Sequence, residues 1–487
     1  MILGAAARIA YRHAFGRRQR REKESAVTDQ RATDEIPDDR FRAVYEQVVH
    51  EMSRLPIPGA VVGVLHEGYA LVAAFGTTSV EHPLPVTEET LFQVGSITKT
   101  FVATAVMRLV EAGKIELDEP IRTCLPDLKL ADEAVAARVT MRHLLTHTGG
   151  WEGDYFNDFG MGDDALAKMV ARMAELPQLM PLGEIWSYNN SGFYLAGRVL
   201  EVVTGSTFER VIQELVLDPL DLKQSFFFPQ DVITHRFVVG HEVVEKQPRV
   251  ARPWAVGRAV HPAGGLVCTA ADLLRYARFH MGDGTAPDGA RLLSPESLAL
   301  MQTPLLPSTG IAQCGLSWSI MTVDGTKIIG HGGGTKGQVS YLRIVPSRRF
   351  AVVVLSNSEE GDPLTYGIAN WATKEYLGLV LPEAAPLALP EEALRPYTGR
   401  YDAAADTLDV YLREAGLVVQ VTNKGGFPTP ECPPLEAPPP VRAALYDEDR
   451  LVLLDEPMKG DRGEFLRNPD GSIAWLRLGG RAHSRLG

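Results

Sequence analysis

The sequence predicts an α/β (α+β) body, with one sheet built from both of its ends, followed by a C-terminal all-β, barrel-like domain. Three observations predict this. Strand-like apolar runs stand near residues 60–75 and again near 327–356. The stretch between, about 115–280, is richer in helix and loop. After a Pro/Ala-rich segment, Leu381–Pro390, the texture changes to short alternating runs separated by turns.

The elements follow in chain order. Residues 41–53 space Phe41, Val44, Val48 and Val49 at helical intervals, and Pro58-Gly59 ends that pattern. Ala60–Leu65 and Tyr69–Phe75 flank His66-Glu67-Gly68 and read as a β-hairpin. Residues 97–112 carry broad apolar rows (Ile97, Phe101, Ala105, Leu109; Val102, Val106, Val110) and predict a helix buried on most sides, with Gly113 as its C-cap. Lys327–Gly330, Val339–Val345 and Arg349–Ser356 are short strand signals. Beyond the 381–390 linker, Leu408–Leu412, Leu417–Thr422, Leu451–Leu454 and Ile473–Leu478 predict a small barrel or sandwich over 391–487. No internal repeat is visible.

Composition excludes some classes. With 487 residues the chain exceeds one ordinary core, so more than one domain is expected. A net charge of −12 argues against nucleic-acid binding, which needs a basic face. Cys124, Cys268, Cys314 and Cys432 form no CxxC pair, so the thiols are expected free, with no metal and no cofactor. Met1–Ala10 is mildly apolar, but the cluster Arg17, Arg18, Arg20, Arg21, Lys23 follows it, whereas a secretory signal carries its charge first. Residues 1–40 are therefore expected to be a disordered basic tail, with no firm membrane anchor. The cytoplasm is favoured, with export as the alternative.

Three segments can carry chemistry. In Gly95-Ser96-Ile97-Thr98-Lys99 the helical i, i+3 relation projects Ser96 and Lys99 together. A serine hydroxyl needs a base to take its proton. A lysine becomes that base when burial and positive potential lower its pKa. In Trp186-Ser187-Tyr188-Asn189-Asn190-Ser191-Gly192, read as a loop, Tyr188 can shuttle a proton, its phenol lowered by an adjacent ammonium, and Asn190 can hold the lysine or the substrate. Gly330-His331-Gly332-Gly333-Gly334 lets a ligand approach the backbone, whose N–H groups can face an oxyanion.

Together these three segments, in this order, resemble the serine β-lactamase and penicillin-binding-protein superfamily, and its class C branch in particular. Leu91–Lys99, Met141–Gly150, Pro181–Leu195 and Gly264–Leu273 are similar as well, so the resemblance spans about residues 40–375. It implies an antiparallel sheet flanked by helices, with a helical subdomain. It implies Ser96 as the acylated nucleophile, Lys99 as proton acceptor, and Tyr188 as partner base and later acid. Asn190 would bind Lys99 or the substrate amide. The backbone N–H groups of Ser96 and Gly334 would form the oxyanion hole, with His331 and Gly333 beside it. His143 and His147 fall in a segment that is structural in the family. His331 stands where β-lactamases carry lysine, which weakens capture of a substrate carboxylate. Relatives with histidine there are often esterases, D-aminopeptidases or other peptidases, and 391–487 resembles the lipocalin-like module appended to some of them.

The expected function is a serine hydrolase acting on a small-molecule ester, amide or peptide. The alternatives are a slowly deacylating penicillin-binding sensor and a non-enzymatic scaffold of the same fold. Homo-oligomers are compatible with either.

Overall fold

The computed structural model describes residues 38–486, apart from 415, 435 and 436. Of the basic tail assigned to residues 1–40, residues 1–37 lie outside the described residues. Helix α1 (Asp39–Met52) starts at Asp38, whose carboxylate caps it by accepting from the Phe41 N–H.

The hairpin falls where the two apolar runs and the turn between them placed it, as β1 (Gly59–His66) and β2 (Tyr69–Gly76). A 3₁₀ turn, Gly95–Ile97, leads into α2 (Thr98–Glu111), nearly all of which is buried. Helix α3 (Asn190–Thr204) begins inside the segment read as a loop, because the Asn189 side chain accepts from the Gly192 N–H and caps it. Helix α4 (Ala270–Met281) packs on the sheet.

The second half of the body supplies six strands: β3 (Leu306–Pro307), β4 (Gln313–Cys314), β5 (Ser319–Val323), β6 (Thr326–Thr335), β7 (Gln338–Val345) and β8 (Phe350–Ser356). The body's sheet is antiparallel in the order β2-β1-β8-β7-β6-β5-β4-β3. The N-terminal hairpin thus pairs with the C-terminal strand, Ala60 opposite Ser356, as one sheet made from both ends requires. One face carries α1 and α5 (Asp362–Leu377), with Val62, Val64, Val352 and Ile368 in that core. The other faces α2, α4 and the helical subdomain.

Residues 379–390 carry no regular structure. After them β9 (Gly399–Asp402), β10 (Asp406–Arg413), β11 (Gly416–Asn423), β12 (Val441–Asp447), β13 (Arg450–Leu453), β14 (Arg462–Arg467), β15 (Ile473–Leu478) and β16 (Arg481–Leu486) close into an eight-stranded barrel, β9 pairing with β16. Its interior is Leu408, Val410, Val419, Leu451, Phe465 and Leu476. Closure leaves no free edge, which resolves the choice between sandwich and barrel.

Candidate active site

Ser96 sits on the 3₁₀ turn below α2, and Lys99 on that helix's first turn. Gly95 takes a left-handed φ of +50°, and a Cβ there would stand 2.7 Å from the Gly334 nitrogen. That close approach presses the turn against β6. The glycines of 332–334 are therefore not a flexible turn. Strand β6 runs through them to Thr335, and a Cβ on Gly333 would lie 2.0 Å from the Val94 carbonyl oxygen and 3.0 Å from the Ser96 nitrogen. Only a bare backbone can pass the nucleophile turn at this distance.

Lys99 is wholly buried. Its Nζ lies 3.0 Å from Ser96 Oγ, 2.7 Å from Asn190 Oδ1 and 2.6 Å from the Ala263 carbonyl oxygen. The last two oxygens can only accept. A neutral amine satisfies both with its two N–H groups, which leaves its lone pair facing the Ser96 hydroxyl. Burial pushes the Lys99 pKa well down, and the Arg481 charge adds to this, against the opposing pull of Asp154.

Tyr188 borders the same space, with Lys99 Nζ 4.8 Å from its ring centroid. Its hydroxyl is buried and makes no hydrogen bond of ordinary geometry. Burial drives the phenol pKa up, and the nearby Ser96 hydroxyl and Arg481 only partly offset the rise. The sequence-based argument ran the other way, with an ammonium lowering the phenol. Burial of the phenol reverses its sign.

His331 is mostly enclosed, and burial above all takes its pKa down to about 4, so at neutral pH it carries no charge. Its Nδ1 lies 2.5 Å from the Gly332 carbonyl oxygen, which fixes that nitrogen as the donor. Ser96, Tyr188, Asn190, His331, Gly333 and Gly334 all line one cleft of about 1260 Å³.

Three further residues neighbour the site: His147, expected from the sequence to be structural, and Asp154 and Arg481, which were not found from the sequence. His147 stacks on Tyr188, ring centroids 4.4 Å apart, and its Nδ1 accepts from the Asn189 N–H at 3.0 Å. Asp154 accepts from Asn190 Nδ2 at 2.7 Å. Arg481, at the start of β16, grips Asp154 with two bonds, Nε to Oδ2 at 2.9 Å and Nη2 to Oδ1 at 3.0 Å. The hairpin turn before it docks on the Tyr188 segment: the Tyr188 N–H donates to the Gly480 carbonyl at 2.8 Å, and the Ala482 N–H to Ser187 Oγ at 3.1 Å. The barrel thus reaches into the cleft of the body. Motif spacing carries no sign of this, although the glycine pair Gly479-Gly480 marks the turn.

The aromatic residues around the cleft divide. Tyr155 and Phe156 line the cleft, where Phe156 meets Phe427 of the barrel edge to face at 4.8 Å. Trp151 and Trp254 are packing residues, their indole N–H groups bonded to Ser191 Oγ and to the Val238 carbonyl. His143 closes a capping box with Thr140 at a helix start, a structural role. All four thiols are free, and Cys314 lines the cleft. Among the described residues no group of three His, Cys, Asp or Glu could hold a metal ion, and no helix is long and apolar enough to cross a membrane.

Comparison with known proteins agrees with this fold. The family model described as Beta-lactamase matches residues 42–372. Penicillin-binding protein 4 of Amycolatopsis lactamdurans is 34% identical over 373 residues, covering 74% of this chain and 94% of that protein. Among solved structures, SurE with D-Leu superposes with a TM-score of 0.70 at 27% identity, covering 91% of this chain and 98% of that one. A class C beta lactamase from Rhodobacter sphaeroides superposes with a TM-score of 0.57 at 25% identity, covering 70% of this chain and 99% of its own.

Proposed function

The chain belongs to the beta-lactamase family, and on that premise we propose that it is a serine hydrolase working through a Ser96 acyl-enzyme on esters or small amides and peptides. The observation that carries the proposal is the 3.0 Å contact between Ser96 Oγ and the fully buried Lys99 Nζ, whose other neighbours can only accept hydrogen bonds.

Ser96 Oγ attacks the substrate carbonyl carbon while its proton passes to the Lys99 lone pair. The carbonyl oxygen becomes an oxyanion facing the backbone N–H groups of Ser96 and Gly334, on the two segments that Gly95 and Gly333 allow to touch. The raised phenol of Tyr188 stays protonated and acts as donor to the leaving oxygen or nitrogen, and the Lys99 ammonium then restores its proton. Water then attacks the ester carbon of the acyl-enzyme and gives a proton to Lys99; the bond from that carbon to Ser96 Oγ breaks, the proton passes from Lys99 to Oγ, and the acid leaves. Asn190 holds Lys99 in place.

Neutral His331 offers no fixed cation for a substrate carboxylate, which favours neutral esters and amides over penicillins. The D-Leu in the SurE structure supports including D-amino-acid esters and amides among the substrates tried. The first test is hydrolysis of a short-chain p-nitrophenyl ester by wild type and Ser96→Ala. Activity that disappears with the hydroxyl is expected. Equal activity in both would remove Ser96 as the nucleophile. Rapid acylation by penicillin without turnover would point instead to the slowly deacylating sensor.

A further inference from the structure

Two charged residues stand within reach of Lys99, and neither touches the reacting atoms. A row of bonded groups runs Arg481–Asp154–Asn190–Lys99–Ser96, every link between 2.7 and 3.0 Å. Asp154 is buried, and Arg481 is about one-third exposed. Their bidentate pairing joins the barrel to the body across 327 residues of sequence.

The two ends of the row do different things. A carboxylate accepts only, so Asp154 binds the NH₂ group of Asn190 and turns the amide oxygen toward Lys99. Without that anchor the amide could reverse and present N–H groups to the amine. The same carboxylate, left alone in a buried site, would favour the ammonium form of Lys99 and so block its role as base. Arg481 cancels that field at its source, through the paired geometry that only a guanidinium offers.

Resting on the serine-hydrolase reading above, we propose that Asp154 and Arg481 act as positioning residues for the Ser96–Lys99 pair. The carboxylate orients the Asn190 amide, and the barrel's guanidinium neutralises the carboxylate so that the amine stays uncharged.

The other groups around Lys99 leave this balance to the pair. Burial is the largest cause lowering the pKa of both His147 and His331, and it keeps them neutral. Tyr188 stays a phenol, and Cys314 stays a thiol with its pKa pushed up to about 12. Glu152, next to Asp154, is pushed toward its protonated form by burial. The Asp154 carboxyl is itself pushed up by burial, but the Arg481 charge and the Arg481 and Asn190 hydrogen bonds oppose this, and it is held below its ordinary value.

The test uses the full chain and a fluorophosphonate probe, which needs no knowledge of the substrate. Ser96 Oγ forms a bond to phosphorus, the P–F bond breaks, fluoride leaves, and Lys99 takes the serine proton. The labelling rate is followed by intact mass from pH 5 to 10 in wild type, Arg481→Met, Arg481→Lys, Asp154→Asn and Ser96→Ala. In Arg481→Met the acid limb should move to higher pH by about 1 unit or more, the size of a close charge effect. In Asp154→Asn it should move to lower pH, and Arg481→Lys should stay near wild type. Slower labelling with an unshifted limb in both Arg481→Met and Asp154→Asn would show that the pair only packs the interface, and would overturn the inference while leaving the serine hydrolase intact. If Arg481→Met fails to fold, the isosteric Asp154→Asn decides alone: no downward shift overturns the inference. Labelling of Ser96→Ala at the wild-type rate, or none in wild type, would overturn the nucleophile assignment, and the inference with it.

Discussion

The imidazole of His147 lies nearly parallel to the Tyr188 ring, 26° between planes, while its Nδ1 takes the N–H of the next residue, Asn189. One side chain therefore fixes both the ring and the backbone of the segment that delivers Tyr188. His147→Ala should leave that buried N–H without a partner, at a cost of about 1–3 kcal/mol, and free the phenol to move. The expected result is a lower kcat with a smaller change in KM, measured on an ester together with the thermal midpoint. Unchanged kcat would show that Tyr188 needs no such support.

Lys99→Met keeps the length of the buried side chain and removes the amine. It should reduce turnover about 10²–10⁴-fold, as loss of a general base does. The Ser96→Ala/Lys99→Met double variant should be scarcely worse than either single one, because the two act as a unit. Steady-state kinetics of all three variants check this, and a fully active Lys99→Met would end the mechanism.

Gly333→Ala should be far more damaging than its size suggests. The new methyl would stand 2.0 Å from the Val94 carbonyl oxygen, which is backbone and cannot turn aside. Moving β6 off the nucleophile turn separates the two oxyanion donors, with a loss of roughly 100-fold in kcat/KM. Gly334→Ala meets nothing within 4 Å and is the internal comparison.

Glu209 lies behind the site. It accepts from His261 Nδ1 at 2.7 Å and from Arg258 Nε at 3.0 Å, at the start of the segment whose Ala263 carbonyl holds Lys99. Burial raises its pKa, but the His261 and Arg258 bonds outweigh this and bring it down to about 2. A depressed carboxyl stabilises the fold fully above its unfolded value of about 4.3, and the contribution fades as pH falls toward 2. Glu209→Gln should therefore lower the thermal midpoint by a constant amount between pH 5 and 8, with the gap to wild type closing below about pH 4. A gap independent of pH would mean that packing, rather than charge, is what is lost.

The legible part of this site was local. Ser96 and Lys99 share one helical turn, and Tyr188 and Asn190 flank a cap, so spacing along the chain already carries their relationship. The barrel was legible from alternation, and the hairpin from its turn. Asp154 and Arg481 were not, because an ion pair between residues this far apart has no period and exists only once two sheets have been placed. The glycine run was legible as a place where the backbone is approached closely, but only the neighbouring Val94 carbonyl shows why a strand needed it.

Since the cleft is finished by a hairpin belonging to another structural unit, catalysis depends on docking as well as on folding. The docking contacts of Arg481 and Ala482 are polar bonds rather than a hydrophobic core, with Arg481 about one-third exposed, and such contacts open before either core does. Enzymatic turnover should then vanish at a lower urea concentration than far-ultraviolet ellipticity, and the interval between the two midpoints is a direct reading of how tightly the barrel is held.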